Sequence, residues 1–327
     1  MEKIIYSKYA NERANRFALR TDIVQQENGT FVVRKKAFGQ AGKVHVDNIY
    51  TVGAALNDQY EDSRFVFNKC KKIEEGVELE FVKSETLAAQ ADKLLYYGKI
   101  QEVQDLIFAT IDEIYKVKEK QKFQLTPEFV EVFGEVELQS NEGLICAKVS
   151  DIDMLMDNIM QGEKWTVLDY EWSFDFPIPI QFIVYRLLHY YLYASPVRSV
   201  LREHNLMQKA GISASDEEVY YQMERHFQDV YVLYEEDGAH HTPLRDMYEG
   251  ITAGTVDVRT LYEKAKTLSR TKEEQKDVVL AIDNSIKIEQ ENEMLREKLK
   301  SKEEQITAME GTKVWKAYRK YRALKEK

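Results

Sequence analysis

Between Val149 and Trp172 the chain reads VSDIDMLMDNIMQGEKWTVLDYEW. Strand-like runs at Gly143–Val149 and Lys164–Leu168 bracket an acidic loop, and the second run ends in Asp169-Tyr170-Glu171. Asp153, Asn158, Asp169 and Glu171 therefore offer hard oxygen atoms from two neighbouring strand ends. Mg²⁺ keeps few protein ligands and takes the rest from phosphate and water, so such a set suits a polyphosphate site. A further carboxylate there can orient a hydroxyl nucleophile.

Working outward toward the N-terminus, the pattern stays strand-like to about residue 84. Phe17–Gln25 and Phe31–Phe38 flank Glu27-Asn28-Gly29, and the Asn-Gly pair predicts a tight hairpin turn. A helix follows, with Ile49, Val52, Leu56 and Tyr60 on one face. Arg64–Ile73 and Val77–Val82 then read as two more strands around Glu74-Glu75-Gly76. Beyond them a helical period takes over from Leu87 to Lys118, aligning Val103, Ile107, Ile111 and Ile114. Gln181–Tyr193, Asp216–Tyr234 and Val258–Leu268 also read as helices. The expected organisation is α+β: a β-rich front (1–84) and a mainly helical back (85–270).

Asp153 precedes Asn158 by five residues, and a strand ending in Leu168-Asp169-Tyr170-Glu171 follows shortly. This arrangement resembles the kinase-like superfamily, in its aminoglycoside phosphotransferase and choline kinase branch. The resemblance implies a two-lobed protein-kinase-like fold that binds ATP and Mg. By it, Asp153 is the catalytic-loop Asp and Asn158 and Asp169 hold metal, with Glu171 at a second metal or at the substrate. Lys35, in Val32-Val33-Arg34-Lys35, resembles the strand lysine that reaches the ATP phosphates, and Lys36 takes its place if the register differs by one. The sequence departs from the branch in three places. Asp151 stands where the family loop begins with His. No glycine-rich loop lies between the first strands, where SKYANERANRF supplies Arg13 and Arg16 as substitute phosphate ligands. The first helix carries no Glu to pair with Lys35, only Asp47. These departures keep a second reading open, a catalytically inactive kinase-like scaffold.

Charge is unevenly spread over the 327 residues. Residues 312–327 carry +6 and residues 271–311 carry −4, leaving −12 on the first 270 residues of a chain whose net charge is −10. An acidic body argues against nucleic-acid binding, which needs a basic face. From Val278 to Met309, residues step by alternating threes and fours in a heptad seam containing Asn292, which predicts a coiled coil over 271–311 that makes a parallel homodimer. The tail 312–327, TKVWKAYRKYRALKEK, sets Trp315, Tyr318 and Tyr321 among basic residues and suits an anionic membrane surface.

Cys70 and Cys146 make no disulfide framework, and MEKIIYSKYANER lacks a signal-peptide pattern, so a reducing, cytoplasmic setting is expected, with peripheral contact at the inner face of the membrane. Phe174–Ala194 is apolar, but it holds Asp175, Gln181, Arg186 and His189 and reads as a buried core helix. The segment DYEWSFDFPIPIQFIVYRLLHYY and the coil also resemble modules that accompany bacterial surface-polysaccharide glycosyltransferases and methyltransferases. That resemblance implies a glycan or small-molecule hydroxyl as phosphate acceptor and a glycosyltransferase as partner. His240-His241 reads as a solvated loop, because adjacent histidines rarely ligate one zinc ion.

Overall fold

The hairpin expected around Asn28-Gly29 joins β2 (Leu19–Gln25) to β3 (Phe31–Ala37). Only Gly29 takes a left-handed φ, of 84°, while Asn28 stays in the ordinary region and its side chain accepts from the Thr30 N–H. The connection is therefore a longer Gly-closed loop rather than a two-residue turn. The computed structural model describes residues 2–10, 12–138 and 143–233. The Val258–Leu268 helix, the coiled coil, the basic tail and His240-His241 lie outside the described residues.

The sheet-rich front begins with a strand that the sequence pattern does not announce, β1 (Lys3–Ala10). It is an edge strand, exposed along most of its length, so it carries no alternating apolar signal. Next in the chain come α1 (Lys43–Gln59), β4 (Phe65–Phe67), β5 (Cys70–Ile73) and β6 (Gly76–Glu80). The antiparallel sheet runs β1-β2-β3-β6-β5. Ile49, Val52 and Leu56 of α1 are buried, as is Tyr60 just beyond it, and the helix packs on β3, β5 and β6. Each such aliphatic side chain removed from water contributes about 1.5–3 kcal/mol. At the β5–β6 turn Gly76 has φ 143°, and a Cβ there would stand 2.2 Å from the Lys35 carbonyl oxygen. Glycine is required at that crossing.

The expected strand Arg64–Ile73 divides in two. Asn68 breaks it: its N–H donates to the Val167 carbonyl and its side-chain amide to the Glu80 carbonyl. Phe65–Phe67 therefore leaves the front sheet and pairs in parallel with a strand of the back half.

The back half contains α2 (Leu87–Tyr96), α3 (Ile100–Ile114), β7 (Lys120–Lys122), α4 (Pro127–Phe133), β8 (Ile145–Ala147), β9 (Ser150–Asp151), β10 (Ile159–Met160), β11 (Trp165–Val167) and β12 (Ser173–Phe174). After these come α5 (Ile180–Tyr193), a 3-10 helix (Pro196–His204), α6 (Leu206–Lys209) and α7 (Ala214–His226), which continues into a π-helical turn (Phe227–Val232). Gly98, with φ 69°, breaks the long helical period between α2 and α3. The expected apolar face of α3 is buried. Helix α5 is buried almost all round. Its polar residues are partnered: Gln181 bonds Gly211 and Tyr220, and Arg186 bonds acids described below. Among the described residues no helix is long and apolar enough to cross a membrane.

The change of pattern near residue 84 falls in the connection from β6 to α2. That connection is pinned to β10, with Ser84 donating to the Gln161 carbonyl and the Gln161 N–H to the Glu85 carbonyl. With the β4–β11 pairing, this ties front and back together, and the described residues belong to one compact unit.

Candidate functional site

Two short ladders hold the loop that follows β9. Upstream, β9 pairs with β12 (Asp151 opposite Ser173), and the Ile152 N–H donates to the Trp172 carbonyl. Downstream, β10 pairs with β11, and the Leu168 N–H donates to the Asn158 carbonyl at 2.9 Å. The segment Asp169–Glu171 therefore spans between the two ends of the loop Asp153–Asn158. Within the loop, the Asn158 amide nitrogen donates to the Asp153 carbonyl at 2.9 Å, and its amide oxygen keeps no protein partner among the described residues.

Lys35, from β3, enters this span from the front sheet. Its Nζ lies 2.6 Å from Asp169 Oδ1 and 2.6 Å from Glu171 Oε2. The register is thus the Lys35 one. Lys36 points the other way and pairs with Glu75 at the surface. Burial pulls the Lys35 ammonium toward deprotonation, but the two carboxylates outweigh it and its pKa is raised. Arg13 reaches the same cluster, with Nη1 2.6 Å from Glu171 Oε1 and its guanidinium over the Trp172 ring. Despite its burial, Glu171 is held well below the usual carboxylate range by Lys35 and Arg13. Each of its oxygens already accepts from a cation of the protein itself, Lys35 on one and Arg13 on the other. Arg16 is not brought into the cluster. It lies over Phe17 and Tyr231 and donates to the Tyr231 carbonyl.

The partner of Lys35 does not come from the first helix. Asp47 of α1 pairs instead with Lys72 at 2.9 Å. What α1 brings near the cluster is His45, packed edge-on against Phe17 with ring centroids 5.2 Å apart and at 4.8 Å from Trp172. Burial lowers the His45 pKa to about 4, Arg13 and Lys35 add to that, and the attraction of Glu171 only partly opposes it. The imidazole is neutral at neutral pH, with Nε2 buried and unpartnered.

Asp153 faces Arg186 of α5, whose Nη1 is 2.6 Å from Asp153 Oδ1 and whose Nε is 2.7 Å from Glu224 Oε2. Burial raises the Asp153 pKa, Arg186 opposes it, and the Asp169 and Glu171 carboxylates add to the rise. Asp151, fully buried, accepts the Asp153 N–H through Oδ1. Burial and the neighbouring Asp153 and Asp169 carboxylates raise its pKa well above the ordinary carboxylate range, with the Asp153 N–H and Arg186 opposing. Sequence reasoning missed Arg186 and Glu224. Arg186 left one trace, a lone guanidinium within an otherwise apolar helix, whereas Glu224 left none.

Among the described residues no group of three or more His, Cys, Asp or Glu side chains is arranged to hold a metal ion. Asp169 is 39% exposed and engages Lys35 through one oxygen only, so its second oxygen and the Asn158 amide oxygen are of the donor chemistry that a magnesium ion drawing its other ligands from phosphate and water would use. The chain matches no family model and no curated protein sequence.

Proposed function

We propose that the chain is a two-lobed, kinase-like phosphotransferase that moves a phosphoryl group from ATP to a hydroxyl of a small molecule or surface-glycan precursor. The observation that carries this reading is the buried Lys35 ammonium, 2.6 Å from the strand-end carboxylate of Asp169 and beside the loop bearing Asp153 and Asn158. A lysine fixed next to an exposed carboxylate supplies a cation for phosphate oxygens and an anion for their counter-ion.

On this reading Asp169 and Asn158 hold magnesium, which neutralises charge on the polyphosphate when bound. Lys35 contacts phosphate oxygens. Asp153 accepts a hydrogen bond from the acceptor hydroxyl and takes its proton as the oxygen–phosphorus bond forms and the bond to ADP breaks. Its raised pKa suits that transfer. Arg13 acts through Glu171 rather than on phosphate directly.

The Arg186–Asp153 ion pair favours a second reading, because a carboxylate already engaged at 2.6 Å is less available as a base. That reading is an inactive kinase-like scaffold recruiting a glycosyltransferase through the coil, with the basic tail at the inner face of the membrane. Isothermal titration with ATP separates the two. Magnesium-dependent binding that is lost in Asp169→Asn is expected of the enzyme. A folded protein that binds no nucleotide moves the weight to the scaffold, whose homodimer should become monomeric when residues 271–327 are deleted.

A further inference from the structure

Lys35 has two acidic partners at the same distance, and their surroundings differ. Asp169 is 39% exposed, and Lys35 is its only side-chain partner among the described residues. Glu171 is 4% exposed, and each of its oxygens meets a different cation at 2.6 Å, Lys35 on one side and Arg13 on the other. Arg13 is in turn held over the Trp172 ring. To leave Lys35, Glu171 would have to abandon a buried ion pair; Asp169 needs only to turn toward solvent.

The charge balance points the same way. Lys35 and Arg13 against Asp169 and Glu171 sum to neutrality, and the neighbouring His45 is neutral. Once Asp169 turns to a cation ligand, the remaining Lys35–Glu171–Arg13 set carries a net positive charge. The acids of α1 do not change this, since Asp47 and Asp58 pair with Lys72 and Lys118.

We infer that Glu171 is the positioning residue that keeps Lys35 in place, with Arg13 as its clamp, and that Asp169 is the exchangeable partner whose place on Lys35 is taken by a phosphate oxygen. This rests on the nucleotide reading of the site. It assigns Glu171 a role through Lys35 rather than contact with metal or substrate.

The test is acetylation of the whole protein by N-hydroxysuccinimidyl acetate, with Lys35 modification followed by mass spectrometry and Lys36 as internal control. Lys35 is only 7% exposed, so losing the carboxylate that holds it in place frees the amine to reach the reagent, and the labelling rate reads how firmly each partner positions it. Glu171→Gln should speed Lys35 labelling about tenfold or more, and Asp169→Asn by clearly less, with Lys36 unchanged. Should Glu171→Gln fold poorly, the double variant Arg13→Met/Glu171→Gln removes one buried cation with one buried anion and should show the same increase. Equal or reversed ordering of the two carboxylates overturns the assignment. Titration with Mg–ATP is the second readout. Glu171→Gln should weaken binding about tenfold, equivalent to about one pKa-scale unit of free energy, with partial rescue by Glu171→Asp. Wild-type affinity in Glu171→Gln also overturns it. A wild-type protein that binds no Mg–ATP removes the nucleotide reading and the phosphate exchange with it, while the labelling order still decides which carboxylate holds Lys35.

Discussion

The Arg186 guanidinium stands 2.6 Å from Asp153 Oδ1 and is only 2% exposed, so the loop acid is tied to the centre of the helical core. The same guanidinium donates to the Ile152 carbonyl and to Glu224, which also accepts from the Tyr190 hydroxyl. Removing the cation leaves two carboxylates facing one another across a buried gap. Arg186→Met should cost about 3–5 kcal/mol of stability, the range for breaking a buried pair from one side. Urea unfolding of the variant, alone and combined with Glu224→Gln, measures it. A loss below about 1 kcal/mol would show that the pair behaves as a solvated one.

His45 makes stability depend on pH. Its folded-state pKa is about 4 against an ordinary value of 6.5, so between those values the unfolded chain binds the extra proton. The contribution is complete above about pH 6.5 and is lost as pH falls toward 4. It amounts to about 3 kcal/mol over that window. His45→Phe keeps the packing against Phe17 and Trp172 and removes the titrating group. Unfolding midpoints at pH 7 and pH 4.5 should lie closer together in His45→Phe than in the wild type. An unchanged gap would assign the acid sensitivity to other groups.

If Asp153 positions and deprotonates an acceptor hydroxyl, Asp153→Asn should lower kcat by about 10²–10⁴. Mg–ATP affinity should be unaffected, because Lys35, Asp169 and Asn158 are untouched. Asp169→Asn should instead abolish binding. Calorimetry beside a turnover assay distinguishes these effects, and retained turnover in Asp169→Asn would falsify the assignment.

The two thiols should differ in reactivity. Cys146 is fully buried, and burial raises its pKa to about 12; Cys70 is half-buried. Native protein treated with a maleimide at pH 7.5 should acquire one label, on Cys70, and a second only after unfolding. Peptide mapping reads the order directly.

Much of the fold was legible because it rests on local periodicity. The faces of α1 and α3 could be marked as core from their spacing, and both are buried. The divided strand at Asn68 could not, since the break depends on hydrogen bonds to Val167 and Glu80 from other elements. β1 escaped because an exposed edge strand has no apolar alternation to read.

The candidate site divides in the same way. Asp153, Asn158 and Asp169 stood out because their short spacing along one segment is itself the signal, and Lys35 because it lies on a strand of regular pattern. Their partners were a different matter. Lys35 meets Asp169 across 134 positions and Glu171 across 136, and Arg13 meets Glu171 across 158. By itself, then, the sequence determined the alternation of elements and which residues stand as candidates for the chemistry, since backbone preference, hydrophobic period and short spacing act over a few residues. Only the tertiary structure decided which charge faces which: that Glu171 holds Lys35, that Arg13 enters the cluster while Arg16 does not, and that Arg186 meets Asp153. Buried ions must find partners wherever the packed chain brings them, and no local pattern encodes that choice.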